Sequence, residues 1–135
     1  MSHLTRAVME GVAFSLRDSL GIMVGLGTNP TQIRATGGGA RSQLWRQLLA
    51  DVFGRPIVRT MTDEGPASGA ALLAGVTSGV FQNVEEACAG ISLRPDTCEP
   101  ETSRARLYDD YYAAYRELYP ATASTMHSLA DLAQG

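Results

Sequence analysis

Apolar positions along the chain switch between helical and strand periods several times, and the switches define the elements. Residues 4–24 are small or apolar almost all the way round, with Ala7, Val8, Gly11, Val12 and Phe14 among them. That pattern predicts a long helix buried on more than one face. Arg6 and Glu10 stand four apart within it and predict a structural ion pair, although the basic residue comes first, the weaker order. Gly25, Gly27 and Asn29-Pro30 then mark a loop. Residues 33–36 alternate, with Ile33 and Ala35 on one face and Arg34 and Thr36 on the other, as in a strand. Leu44, Trp45, Leu48, Leu49, Val52 and Phe53 repeat with a helical period, so a helix is predicted over about residues 41–53. Gly54 suits its C-terminal end, and Pro56 leads into a second strand carrying Ile57 and Val58. Strand, helix and strand in this order make a βαβ unit, expected to be parallel and right-handed.

The remainder reads as helices. Asp63, Glu64 and Pro66 open one, and its Ala67, Ser68, Gly69, Ala70, Ala71, Ala74 and Gly75 keep it narrow enough for close packing. Asn83-Val-Glu-Glu86 resembles a capping box and starts a short helix to about residue 89. A polar loop over 92–101 follows, with Pro95 and Pro100. From about residue 103 the chain is helical to the end. Tyr108, Tyr111, Tyr112, Tyr115 and Tyr119 form a stripe suited to docking, and Pro120 is expected to break or kink the helix. Burying the six apolar residues of the central helix contributes at most ~1.5–3 kcal/mol each, and requires a sheet to pack on. Two strands cannot cover four or five helices. The expectation is that another part of a longer protein, or a second copy of the chain, completes the layer.

At 135 residues and 44% apolar composition the chain is one soluble domain's worth of sequence. A net charge of −3 with eleven scattered arginines gives no basic stripe, so nucleic acid is not an expected partner. No apolar run is long enough for a membrane and no leader pattern opens the chain, so a cytoplasmic location is expected. Cys88 and Cys98 are expected to stay reduced. His3 and His127 share no ligand spacing with them, and no metal site is expected.

The chemistry concentrates between the first strand and the central helix. Gly37, Gly38 and Gly39 remove every β-carbon from that turn, which frees the backbone for unusual dihedrals and lets a flat ligand approach. The turn also opens a helix whose first amides carry partial positive charge. A tight structural turn remains the plain alternative. The chain has no lysine, which excludes a Walker A loop. Ser42 stands where the third glycine of a dinucleotide fingerprint falls, leaving that pattern incomplete. An NADP-type dinucleotide-binding unit, with Arg59 facing a 2′-phosphate, is one alternative. A non-catalytic assembly module that uses the tyrosine stripe and an open strand edge is another.

The stretch Thr36-Gly-Gly-Gly-Ala-Arg-Ser-Gln-Leu-Trp-Arg-Gln47, with Leu-Ala-Asp51 and Gly-Arg-Pro56, resembles the ATP-binding segment of FGGY-type carbohydrate kinases. Within them it is most similar to the xylulokinases. His3-Leu-Thr-Arg-Ala-Val-Met-Glu-Gly-Val-Ala-Phe14 resembles the tail of that family's second signature. Glu64-Gly-Pro-Ala-Ser-Gly-Ala-Ala71 and Tyr115-Arg-Glu-Leu-Tyr-Pro120 fall where the family has such stretches. The resemblance implies an α/β fold: part of an actin-like, RNase-H-like ATPase lobe (helix, βαβ unit, then helices) whose first strands are missing. Residues 1–135 would be the C-terminal portion of the second, ATP-binding lobe. The parent reaction would transfer the ATP γ-phosphoryl group to a sugar hydroxyl, most similar to D-xylulose phosphorylation at O5, with ATP and Mg²⁺ as cofactors. The resemblance implies an ATP site of Gly38 and Gly39 packed on the adenine with Ala40 beside them. Ser42 and Gln43 would make polar contacts to base or ribose, and Arg41 would either reach the α-phosphate or face solvent. The family's catalytic base and most sugar contacts lie in a first lobe that no residue here matches. The isolated chain is therefore expected to be inactive, to lack ligands for Mg²⁺, to meet the sugar only through the absent lobe, and to self-associate.

Overall fold

The computed structural model describes residues 2–61 and 65–133. Five α-helices and two strands follow one another as α1 (Ser2–Gly25), β1 (Ile33–Ala35), α2 (Gln43–Phe53), β2 (Ile57–Arg59), α3 (Gly65–Thr77), α4 (Val84–Ala89) and α5 (Thr102–Leu132). β1 and β2 pair in parallel, with Ile33 opposite Ile57 and Ala35 opposite Arg59, as the βαβ reading expects. Asp63 and Glu64, read as the acidic opening of α3, lie outside the described residues.

The core forms where α1 and α5 meet α2 and the sheet. Ala13, Phe14, Leu48, Leu49, Ala50, Val52, Ile57, Cys98 and Tyr108 are its buried members. Phe14 is the centre of the aromatic contacts: its ring lies 6.1 Å from Tyr108, 5.9 Å from Tyr112 and 5.3 Å from Tyr115. Edge and tilted pairs at such distances add to simple area burial. The tyrosine stripe thus docks α5 onto α1 within the chain, while Tyr111 and Tyr119 stay exposed. Polar contacts fix the register. The Tyr108 hydroxyl donates to Glu10 (2.8 Å) and accepts from Arg6 (3.0 Å), and Arg6 pairs with Glu10 at 2.8 Å.

Four features differ from the sequence reading in whole or in part. The α1 helix is buried on one face only: Ala13 and Phe14 are covered, whereas Val8 and Leu4 are 63% and 74% exposed. An apolar pattern shows which faces can be covered, and here the described residues cover one. Of the two outcomes expected at Pro120, a break does not occur: α5 runs through it to Leu132. The 92–98 segment is more ordered than a loop, because it lines the outer edge of β2. Ile57 and Cys98 exchange two backbone hydrogen bonds of 2.9 Å, and Thr60 bridges Leu93. Of the glycines of α3, Gly65 and Gly75 are closely approached, so the close packing expected of the small-residue stripe holds at Gly75 but not at Gly69. A β-carbon at Gly65 would lie 2.7 Å from Thr36 Oγ1 and one at Gly75 2.8 Å from the Phe81 ring, while Gly69 has open space.

Two local signals act as expected. Gly54 ends α2 in the left-handed conformation (φ 62°), and the Asn83 side chain accepts from the Glu86 amide at 2.8 Å. Glu86 reaches back to the Gln82 amide, one residue before the usual capping-box target. Cys88 and Cys98 are free thiols.

The chain exposes 9366 Å² of surface. A compact monomer of 14.4 kDa exposes about 6,800 Å². The excess, about 2,500 Å², agrees with the shortage of covering strands inferred from the sequence.

Candidate functional site

The glycine turn is a 3₁₀ helix, Gly38–Arg41, entered through Gly37 and closed by Ser42. Only Gly37 uses a backbone conformation reserved for glycine (φ 79°). Gly38 and Gly39 have ordinary negative φ, so unusual dihedrals do not account for them. Internal crowding does not account for Gly38 either, since a β-carbon there meets nothing within 4 Å. One at Gly39 would touch the Trp45 indole at 3.5 Å, ordinary contact. Neither glycine is required by the packing of the described residues.

The other candidates occupy distinct positions. Ala40 is buried, so its side chain faces the interior. Arg41, Ser42 and Gln43 are exposed. Ser42 is the N-cap of α2: its Oγ accepts from the Trp45 amide at 3.3 Å and its hydroxyl proton remains able to donate. The α2 helix therefore starts at Gln43, two residues later than its period predicted, because the 3₁₀ turn occupies the preceding positions.

Two buried polar residues of α2, Arg46 and Asp51, stand in the stretch that carries the family resemblance, yet the sequence reading assigned neither a role. Arg46 donates to the Ala40 carbonyl at 2.7 Å and to the Asp96 carboxylate at 2.8 Å. Asp51 accepts from Gln47 (2.9 Å) and the Glu101 amide (2.8 Å), with Arg104 at 3.2 Å. These donors secure the start of α5 and leave Asp51 occupied in a structural role. Their distant partners, Asp96, Glu101 and Arg104, lie some fifty residues away in sequence.

Two open clefts flank β1 and share Arg34 and Thr36. One, of about 510 Å³, meets the turn at Gly39 and Ala40 and is lined by Ile33, Leu20, Trp45 and Phe53. The other, of about 680 Å³, runs past Thr60, Gly65, Ser68 and Gly69 toward α4. Both fall within the size range of small-molecule sites. Among the described residues, no group of three His, Cys, Asp or Glu side chains could hold a metal ion. No helix among them is long and apolar enough to cross a membrane.

Residues 1–78, which include α1, the sheet, the turn and α3, match the model of the FGGY family of carbohydrate kinases, C-terminal domain. The chain belongs to this family. Its similarity to xylulose kinase of Staphylococcus epidermidis is 39% identity over 121 residues, 90% of this chain and 24% of that protein. The structure of ligand-bound xylulose kinase from Lactobacillus acidophilus superposes with a TM-score of 0.82 at 28% identity, covering 93% of this chain and 26% of that one. Gluconate kinase from the same organism also gives 0.82 and 28%, over 93% of this chain and 25% of that one. The chain thus spans about a quarter of the length of the relatives it matches. The fold is a part of the α/β ATPase lobe of these sugar kinases. The dinucleotide reading finds no support: Arg59, its proposed 2′-phosphate ligand, lies 3.5 Å from Asp96.

Proposed function

We propose that residues 1–135 are the C-terminal portion of the second lobe of an FGGY sugar kinase and hold the adenine nucleotide. The observation that carries this reading is Gly38: an exposed glycine with an ordinary φ and open space where a side chain would stand. Fold requirements leave its bareness unexplained, whereas a flat base lying on the turn explains it. The adenine would rest on the Gly38–Gly39 backbone with the Trp45 indole at its edge. Ala40 contributes backbone alone. Ser42 and Gln43 are exposed for polar contacts to base or ribose, and Arg41 for the α-phosphate.

The parent reaction is ATP-dependent phosphorylation of a sugar, with D-xylulose as the proposed substrate because of the similarity to xylulose kinases. ATP supplies the phosphoryl group and Mg²⁺ neutralises its charge. The exposed turn suits the base and sugar end of ATP, and among the described residues no group of three His, Cys, Asp or Glu side chains could hold Mg²⁺. Asp51 is committed to three donors and is not a base for the sugar hydroxyl.

Calorimetric titration with ATP tests this reading. The wild-type chain is expected to bind ATP, and Gly38→Val, which has room to fold, is expected to lose that binding by blocking the turn. Equal binding by both, or none by the wild type, would remove the site. The chain alone is expected to show no xylulose-dependent ATP turnover; turnover that survives removal of host kinases would contradict this. The surface excess supports self-association of the chain, which sedimentation at high concentration checks, a monomer being the contrary result.

A further inference from the structure

We propose that Arg46 is a positioning residue for the nucleotide turn, acting with Asp96 as its anchor. The inference rests on the nucleotide reading above. Three successive glycines have the largest conformational freedom of any tripeptide, so a bare turn loses much entropy when a ligand must find it in one shape. A 3₁₀ turn adds little restraint, because its hydrogen bonds have poor geometry. Something outside the turn has to hold it.

Arg46 meets that need. Its side chain is 4% exposed. One end of the guanidinium, Nη1, donates to the Ala40 carbonyl at 2.7 Å and lies 3.5 Å from the Arg41 carbonyl. The other, Nη2, donates to Asp96 at 2.8 Å. Asp96 also lies 3.5 Å from Arg59 at the end of β2, in the segment that pairs with that strand. One planar fork therefore ties the last residues of the turn to α2 and to the sheet edge. Lysine has no such fork.

A purely structural role accounts poorly for this choice. A buried charge and its partner contribute little stability compared with apolar side chains of similar volume. Arg46 Nε is moreover buried without a partner among the described residues. What an apolar residue cannot supply is a donor for the turn carbonyls. Holding them fixes the Ala40–Arg41 and Arg41–Ser42 peptide planes, which close the turn after Gly39, before the nucleotide arrives, and such preorganisation appears as affinity.

The test compares the wild-type chain with Arg46→Met, Arg46→Lys and Asp96→Asn. Trp45, the sole tryptophan, lies against Gly39 and reports ATP binding by fluorescence, with calorimetry as a second readout. Arg46→Met is expected to weaken ATP binding about tenfold or more, Asp96→Asn about threefold, and Arg46→Lys to an intermediate degree, in keeping with loss of charge-assisted hydrogen bonds. Amide hydrogen exchange should quicken at residues 39–42 in all three, with the α1–α5 amides unchanged, a pattern that general destabilisation would not give. Asp96 is 43% exposed, so Asp96→Asn carries the test if Arg46→Met fails to fold. Folded variants that bind ATP as the wild type does would overturn the positioning role while leaving the nucleotide site standing. Absence of binding by the wild type would overturn both.

Discussion

Helices α5 and α3 reverse what their compositions lead one to expect. The α5 helix is rich in charge, yet it is locked to α1 by Tyr108, Tyr112 and Tyr115 around Phe14. The α3 helix has no charged residue, yet none of its residues is buried. Large rings wedge between helices and exclude water over a wide area, even when the rest of the helix is polar. Small side chains permit close approach but bury little area themselves, and among the α3 glycines Gly65 and Gly75 use that permission while Gly69 does not. The first region is held by its own contacts; the second presents a smooth, apolar surface beside the larger cleft.

The largest expected effect is at the wedge. Phe14→Ala should destabilise the chain by ~3–5 kcal/mol in denaturant unfolding, as for other large core deletions. A loss below about 1 kcal/mol would mean that the α1–α5 junction is not what holds this region. A pH series sharpens the same point. Burial, with the hydrogen bond to Glu10, raises the Tyr108 phenol above its ordinary range, and burial with Asp18 does the same for Tyr112. The folded state then holds these protons more tightly than the unfolded state does. Their contribution is complete below about pH 10 and is lost as pH rises above it. The melting temperature should therefore fall above pH 10, and fall less steeply in Tyr108→Phe. The smallest effect belongs to α3, where Leu73 is 58% exposed. Leu73→Ala should change stability by no more than about 0.5 kcal/mol. A loss as large as that of Phe14→Ala would erase the contrast between the two helices.

Much of this fold was legible because its signals are local. The period switch around residues 33–59, Gly54 and Asn83 each act within a few positions, and the structure uses each as read. The long-range polar anchors were not legible. Arg46 and Asp51 look like ordinary surface residues of an amphipathic helix until Asp96, Glu101 and Arg104 fold back onto them. The exposure of α1 was legible only in sum: two strands cannot cover so many helices, but the apolar pattern does not say which helix face goes uncovered. At the turn, the sequence exposed the three glycines but not their division of labour. Gly37 serves the backbone, Gly39 lies against Trp45, and Gly38 faces open space. The family resemblance was legible because several motifs occur in order, and the match to residues 1–78 agrees with it.

The central claim is that the Gly38–Gly39 backbone receives an adenine nucleotide, and amide NMR tests it residue by residue. On titration with ATP, the amides of residues 37–43 and the Trp45 indole N–H should shift together and saturate, while those at the Phe14–Tyr112 junction stay in place. Saturable shifts confined to another surface, or no shifts at the turn at millimolar ATP, would contradict it.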